Sequence, residues 1–288
     1  MEDIWKIIDH VDMFRDNREK VKIINVWRKD NIVVLVDYMG RKYILKDSIK
    51  GWGFYEYTYM KLLRLEGYPV PQPINFYPVG DVYNDRWAYG RMGRYRGILV
   101  YKYIEGRPLC ETATEENIRE AINLMHKLHN DARHHRKKPF VPNYKKVESE
   151  RLLYYLQRVD IPDKLIKKIL DLAQAYTEEK IDYVLIHGDY RPQNLIVSDD
   201  VIYMIDLEGI SDGADKYKDA GIFSVECQKR GFPGIEDLLA KKGYDIGSIR
   251  YLFYVVRRLL VIIHYEKNPN YREWALKKIE ELLRERFL

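Results

Sequence analysis

The 288-residue sequence predicts an α+β protein in which a small, strand-rich amino-terminal part precedes a larger, mostly helical remainder. Three observations predict it. Before residue 103 the apolar residues come in short β-branched or aromatic runs, with one helical stretch among them. After "EGRP" (105–108) the apolar spacing changes to that of helices. Strand-like islands return in that helical half only around "LIHGDYRPQNLIV" and "VIYMID". The expected division is therefore 1–102 and 103–288, two lobes with a cleft between them for a ligand.

The elements follow in order. "VKIINVW", "IVVLVDY" and "KYILK" read as an antiparallel meander whose connections are "RKDN" and a tight "MG" turn. "GFYEYTYMKLLRLEGYP" reads as a helix with Tyr55, Tyr59, Leu62, Leu63 and Leu65 on its apolar face, stopped by Gly67 and Pro69. "PINFYPV" and "GILVYKYI" are two further strands. In "TEENIREAINLMHKLHNDA", Thr114 is placed to cap a helix whose apolar face repeats at Ile118, Ile122, Met125 and Leu128. Helices are also expected in "ESERLLYYLQRV", "DKLIKKILDLAQAYTEE", "IRYLFYVVRRLLVIIHYEK" and "REWALKKIEELLRERF".

Composition narrows the function. Hydrophobic residues at 46% belong to a folded, globular chain. The 49 basic and 44 acidic side chains leave a formal charge of +5, which suits an anionic ligand such as a nucleotide and falls short of a nucleic-acid-binding surface. No secretory signal is visible, and the most apolar helix, "YLFYVVRRLLVIIHY", is too short to span a bilayer and is split by Arg257 and Arg258. A soluble, cytoplasmic protein is expected. Cys110 and Cys227 stand far apart, so neither a zinc site nor a disulfide framework is indicated.

The segment "LIHGDYRPQNLIVSDDVIYMID" carries the chemistry. With Asp199–Asp200 at the turn of a hairpin, paired positions sum to about 400, which brings Asn194 beside Asp206. An amide oxygen next to a carboxylate is a hard-oxygen pair that suits Mg2+, which takes its remaining ligands from water and phosphates. Asp189 precedes Asn194 by a tight turn containing Pro192, where a group that orients a hydroxyl proton should stand.

"HGDYRPQN" followed by "IDLEG" resembles the catalytic-loop and metal motifs of the aminoglycoside phosphotransferase and choline kinase group, whose members share the protein-kinase fold. The resemblance extends over most of the chain and implies a protein-kinase-like two-lobe fold with a small antiparallel sheet and one helix in the first lobe. "YILK" resembles the strand whose lysine, here Lys46, holds ATP phosphates, and "YEYTYMKLLRLEGYPVPQPI" supplies its partner Glu56. "LVYKYIEGRPL" resembles the hinge, where the backbone of Lys102 and Ile104 would meet adenine. The resemblance implies Mg2+ on Asn194 and Asp206, Asp189 as catalytic base, Arg191 on the γ-phosphate, and Asp219 receiving backbone N–H groups of the catalytic loop. Glu208 is a further metal ligand, part of a network on the substrate side, or a structural residue.

The implied function is an ATP- and Mg2+-dependent phosphotransferase acting on a hydroxyl of a small molecule of the aminoglycoside, choline or sugar type. The arginines and aromatics of the last helical region favour a neutral or anionic acceptor. No GxGxxG joins the first two strands, so Arg28, Lys29 or backbone amides must cover the phosphates. Only twelve residues separate Asp206 from Asp219, which disfavours a protein substrate. A small atypical protein Ser/Thr kinase and a nucleotide-binding pseudokinase are the alternatives. His126 and His129 are read as exposed helix-end residues, and Arg86–Gly97 as an exposed hairpin.

Overall fold

The computed structural model describes residues 2–28, 31–48, 51–83, 94–139 and 141–286. In chain order the elements are α1 (Glu2–Asp9), α2 (Asp12–Arg15), β1 (Val21–Arg28), β2 (Ile32–Tyr38), β3 (Arg41–Ser48), α3 (Gly53–Leu65), β4 (Pro73–Tyr83), β5 (Arg94–Lys102) and β6 (Arg107–Pro108). There follow α4 (Leu109–Thr112), α5 (Glu115–Asn130), α6 (Tyr144–Leu156), α7 (Asp163–Glu178) and β7 (Tyr183–Ile186). The chain ends with β8 (Leu195–Ser198), β9 (Val201–Met204), β10 (Ser211–Asp215), α8 (Tyr217–Lys229), α9 (Ile235–Lys241), α10 (Ile249–Tyr265) and α11 (Pro269–Arg286). The chain falls into two compact units, Met1–Pro108 with Asn194–Ile210, and Leu109–Gln193 with Ser211–Leu288. The segment Asn194–Ile210, placed with residues 103–288 from sequence, joins the first unit because β8 pairs with β6 and Met204 N–H donates to Pro69 O at 2.9 Å.

In the first unit five antiparallel strands run in the order β1-β2-β3-β5-β4. Strand alternation decides which side chains share a face. Val34, Val36, Tyr43, Leu45, Ile98 and Val100 form one face and pack against Ile4, Ile7, Ile8, Val11 and Phe14 of the amino-terminal segment. Lys46, next to Leu45, therefore points to the opposite face. Helix α1 was not expected, although its buried Ile4, Ile7 and Ile8 have helical spacing; eight residues rich in charge carry little signal. Gly97 in β5 is required by close approach, since a Cβ there would lie 2.3 Å from the Phe76 ring.

Helix α3 is rotated from the expected orientation. It buries Gly53, Glu56, Met60 and Leu63, while Leu65 is 86% exposed. Glu56 is drawn inward by a charge partner, and that interaction overrides the apolar stripe read from sequence. The β8–β9 hairpin has Asp199 and Asp200 at φ 44° and 62°, the left-handed pair of a two-residue turn.

The second unit is helical around the two-stranded β7–β10 sheet. Helix α5 starts as read: Thr114 Oγ1 accepts from Asn117 N–H at 3.1 Å, and Ile118, Ile122, Met125 and Leu128 are buried. Helix α8 went unrecognised because Tyr217 through Cys227 are all buried, which leaves no amphipathic period to detect. It packs closely on α10, where a Cβ on Gly221 would lie 2.9 Å from Tyr254 Cβ. Strand β10, "SDGAD", has no apolar alternation and was missed for that reason. Cys227 is buried and Cys110 half-buried, both as free thiols.

The interior of this unit holds polar groups as well. Tyr254 exchanges hydroxyl hydrogen bonds with Tyr176 at 2.7 Å and Tyr144 at 3.0 Å. The buried Glu148 carboxylate gathers Arg151 at 2.8 Å, Lys218 at 3.8 Å and Arg257. Burial, partly opposed by Glu148 and reinforced by Arg151 and Arg257, pushes the Lys218 amine down to about 8. An amine whose folded pKa lies below its unfolded value binds fewer protons when folded, so stability rises with pH between the two. Replacing Lys218 with Met should remove that rise. In urea unfolding from pH 8 to 9.5 the wild type is expected to gain roughly 1–2 kcal/mol relative to Lys218→Met. Parallel pH profiles would show that Lys218 stays fully charged in the folded protein.

Candidate active site

Lys46 is the centre of the polar cluster in the first unit. Paired with Val33 and Leu99 in the sheet, it is 4% exposed. Its amine donates to Glu56 Oε2 at 2.9 Å and Asp206 Oδ1 at 2.6 Å and lies 3.0 Å from Glu208 Oε1. Burial opposes the charge on Lys46, but Glu56, Asp206 and Glu208 outweigh it and hold the amine well above the usual lysine range. Glu56 is fixed at both oxygens, because Oε1 accepts from Leu207 N–H at 3.1 Å. Burial raises its carboxyl to about 7 against the pull of Lys46, with Asp206 and Glu208 adding repulsion.

Asp206 follows β9 with φ 61° and ψ 57°, a left-handed conformation that few non-glycine residues adopt. That backbone turn aims its carboxylate at Lys46 while leaving the side chain partly accessible. Oxygen atoms of Glu56, Asp206 and Glu208 lie within 4.8 Å of one another. Three carboxylates around one ammonium leave an excess of negative charge on hard oxygen donors, a set that fits a divalent cation such as magnesium. Asn31, which the sequence reading did not single out, joins the cluster by donating from Nδ2 to Glu208 Oε1 at 2.6 Å.

Asn194 lies one register position away from the expected pairing. Leu195 pairs with Met204, and Ile205 N–H donates to Asn194 O at 2.9 Å, so Ile205 rather than Asp206 is opposite Asn194. Asp206 is the next residue, and Asn194 is 6% exposed. In the hinge, Lys102 N–H donates to Gln72 O at 2.9 Å and Tyr103 N–H to Lys42 O at 3.1 Å. An adenine contact by Lys102 would therefore use its carbonyl, leaving Ile104 to offer an N–H. Arg28 ends β1, whereas Lys29 and residues 86–93 of the arginine-rich segment lie outside the described residues.

Asp189 and Arg191 belong to the second unit, on the loop that follows β7. The buried Asp219 of α8 shapes this loop. Its Oδ2 accepts from His187 N–H at 2.7 Å and its Oδ1 from Gly188 N–H at 2.8 Å. Burial would raise the Asp219 carboxyl, but the His129 hydrogen bond, nearby imidazoles and the His187 amide hold it below the usual range. Gly188, at φ 82°, makes the sharp turn that follows these two amides and leads into Asp189. His187 is buried, and its Nδ1 accepts from Asp189 N–H at 3.3 Å, so it braces the loop.

His129 is not the exposed helix-end residue read from sequence. It is 1% exposed and bridges Asp219 Oδ2, 3.1 Å from Nε2, to the Tyr244 hydroxyl, 2.8 Å from Nδ1. Its buried partner Asp219 lies far away in sequence, which hid this role. Arg191 forms an ion pair with Asp189 at 2.5 Å, and its Nε is buried with no hydrogen-bond partner. A cavity of about 200 Å3 adjoins Asp189, lined also by Tyr155, Tyr254, Arg257 and Arg258. The acidic partners of these arginines, Glu148 and Glu226, were not recognised because Glu148 is buried in a helix that reads as ordinary and Glu226 lies in α8, which shows no period.

Among the described residues no helix is long and apolar enough to cross a membrane. A family model described as "Phosphotransferase enzyme family" matches residues 28–214. The aminoglycoside phosphotransferase APH(4)-Ia, as a thermostable mutant, is 16% identical with a TM-score of 0.65, covering 96% of this chain and 99% of that one. The choline kinase LicA from Streptococcus pneumoniae is 17% identical with a TM-score of 0.64, covering 98% and 99%. The GDP complex of an aminoglycoside 2'-phosphotransferase is 16% identical with a TM-score of 0.63, covering 98% and 97%. A comparison with curated protein sequences finds no match. The fold is kinase-like, and over the matched stretch, which is most of its length, the chain belongs to the phosphotransferase enzyme family.

Proposed function

We propose that this protein transfers the γ-phosphate of ATP to a hydroxyl of a small molecule, with magnesium. The observation that carries the reading is the Lys46 amine held by Glu56 beside Asp206 and Glu208. The relatives solved with ADP, AMP-PNP and AMP support nucleotide as the ligand. In this reading Lys46 exchanges part of its carboxylate contact for phosphate oxygens, and Glu56 keeps the amine in place. Asp206 and Asn194, with Glu208 beside them, would hold magnesium, which offsets the charge on the phosphates.

Asp189 orients the acceptor hydroxyl and takes its proton. The hydroxyl oxygen bonds to the γ-phosphorus, the bond from that phosphorus to the β–γ bridging oxygen breaks, and its electron pair leaves with ADP. Arg191, paired with Asp189 and with a partly exposed side chain, is suited to reach the transferring phosphate. The short segment after Asp206 supports a small acceptor. A 3-10 turn at Leu207–Gly209 and strand β10 take up most of it, which leaves no extended platform for a peptide.

Labelled ATP supplied with a panel of hydroxylated metabolites and a generic protein tests the reaction. A labelled metabolite is expected; label on protein alone would reject the reading. Asp189→Asn is expected to keep nucleotide affinity and lower turnover by about two to four orders of magnitude, the scale of a positioned base. Unchanged turnover would remove Asp189 from the mechanism. Asp206→Ala is expected to weaken nucleotide binding with magnesium and to have little effect without it, as titrations in the two conditions would read.

A further inference from the structure

The cavity beside Asp189 has an unusual charge balance. Helix α10 contributes Arg257 and Arg258 to its wall, and Tyr155 and Tyr254 flank them. Arg257 is tied to Glu148, which also serves Arg151 and Lys218. Arg258 is tied to Glu226, which also serves Arg230 at 3.6 Å. Five cations thus share two carboxylates, both nearly fully buried. The side chains of Arg257 and Arg258 keep 14% and 15% exposure, and both residues line the cavity.

Burial and then repulsion from Arg257 lower the Arg151 guanidinium to about 10, and burial lowers Lys218. Burial of Arg257, by contrast, is outweighed by Glu148 and the neighbouring tyrosines, which hold it above its usual range. A cationic ligand would add to this repulsion, whereas an anion would relieve it. Size points the same way. At about 200 Å3 the cavity is smaller than the roughly 300 Å3 at which drug-sized sites begin, so it fits a compact metabolite.

On the phosphotransferase reading, we propose that the acceptor is an anionic hydroxyl compound whose phosphate or carboxylate seats against Arg257 and Arg258, with its hydroxyl towards Asp189. The pocket discriminates by charge: the two arginines offer charged donors to either anion, and Asp189, the carboxylate among the described lining residues, is already paired with Arg191. Glu148 and Glu226 are positioning residues here, fixing the two guanidinium groups before the ligand arrives.

Calorimetric titration of the intact protein with inorganic phosphate, glucose 6-phosphate, gluconate, glucose and kanamycin tests this, with and without saturating AMP-PNP. A phosphate or carboxylate probe is expected to bind about tenfold or more tighter than glucose, and kanamycin weakest. Glucose 6-phosphate and gluconate separate the two anions. Arg258→Gln is expected to weaken the anionic probe about tenfold, and Arg258→Lys, which keeps the charge without the planar fork, to restore only part of the loss. If Arg258→Gln does not fold, the ranking of probes on the wild type decides alone.

Failure of every anionic probe to bind, inorganic phosphate included, or kanamycin binding best, would overturn the proposal. Displacement of the anions by AMP-PNP would also overturn it, by assigning the arginines to nucleotide phosphates. Phosphate transfer to glucose or kanamycin without anion binding would sink the anion site and leave the phosphotransferase reading standing. Anion binding that depends on Arg258, with no transfer to any hydroxyl, would do the reverse.

Discussion

One buried ammonium, that of Lys46, organises the polar interior of the first unit. Placing a charge in a protein interior costs several kcal/mol unless partners replace the lost water. Here Glu56, Asp206 and Glu208 replace it, and each arrives from a separate element: α3, the end of β9 and the 3-10 turn beyond it. The rotation of α3, the left-handed backbone at Asp206 and the Asn31–Glu208 hydrogen bond all follow from satisfying that charge. The cluster carries more carboxylate than one amine balances. That surplus of hard oxygen donors fits a divalent cation.

A second buried charge orders the other unit. Asp219 spends both oxygens on the amides of His187 and Gly188, and His129 with Tyr244 secures it from behind. The loop that carries Asp189 is therefore held by hydrogen bonds to a helix interior, the kind of support that keeps a reacting group in place. Within the same unit the cations around Glu148 and Glu226 outnumber the carboxylates. The first unit is carboxylate-rich around Lys46, and the second is arginine-rich beside Asp189.

Much of this was legible in the sequence. β-branched runs located β1 to β5, Thr114 announced α5, and "HGDYRPQN" with "IDLEG" pointed to the family. Some unread features depend on partners distant in the chain, and others lack a local period. The face of α3 was set by Glu56 reaching Lys46, not by its leucines. His129 read as a surface residue because Asp219 is 90 positions away. Helix α8, buried all round, offered no period, and the hairpin register slipped by one residue because turn chemistry alone located it.

A crystal structure with AMP-PNP and magnesium tests the role of Lys46 most directly. Lys46 Nζ is expected to keep its bond to Glu56 and to contact a phosphate oxygen, with the Asp206 carboxylate on the metal. Nucleotide phosphates bound away from Lys46, or a metal held without Asp206, would show that the carboxylate cluster serves stability alone.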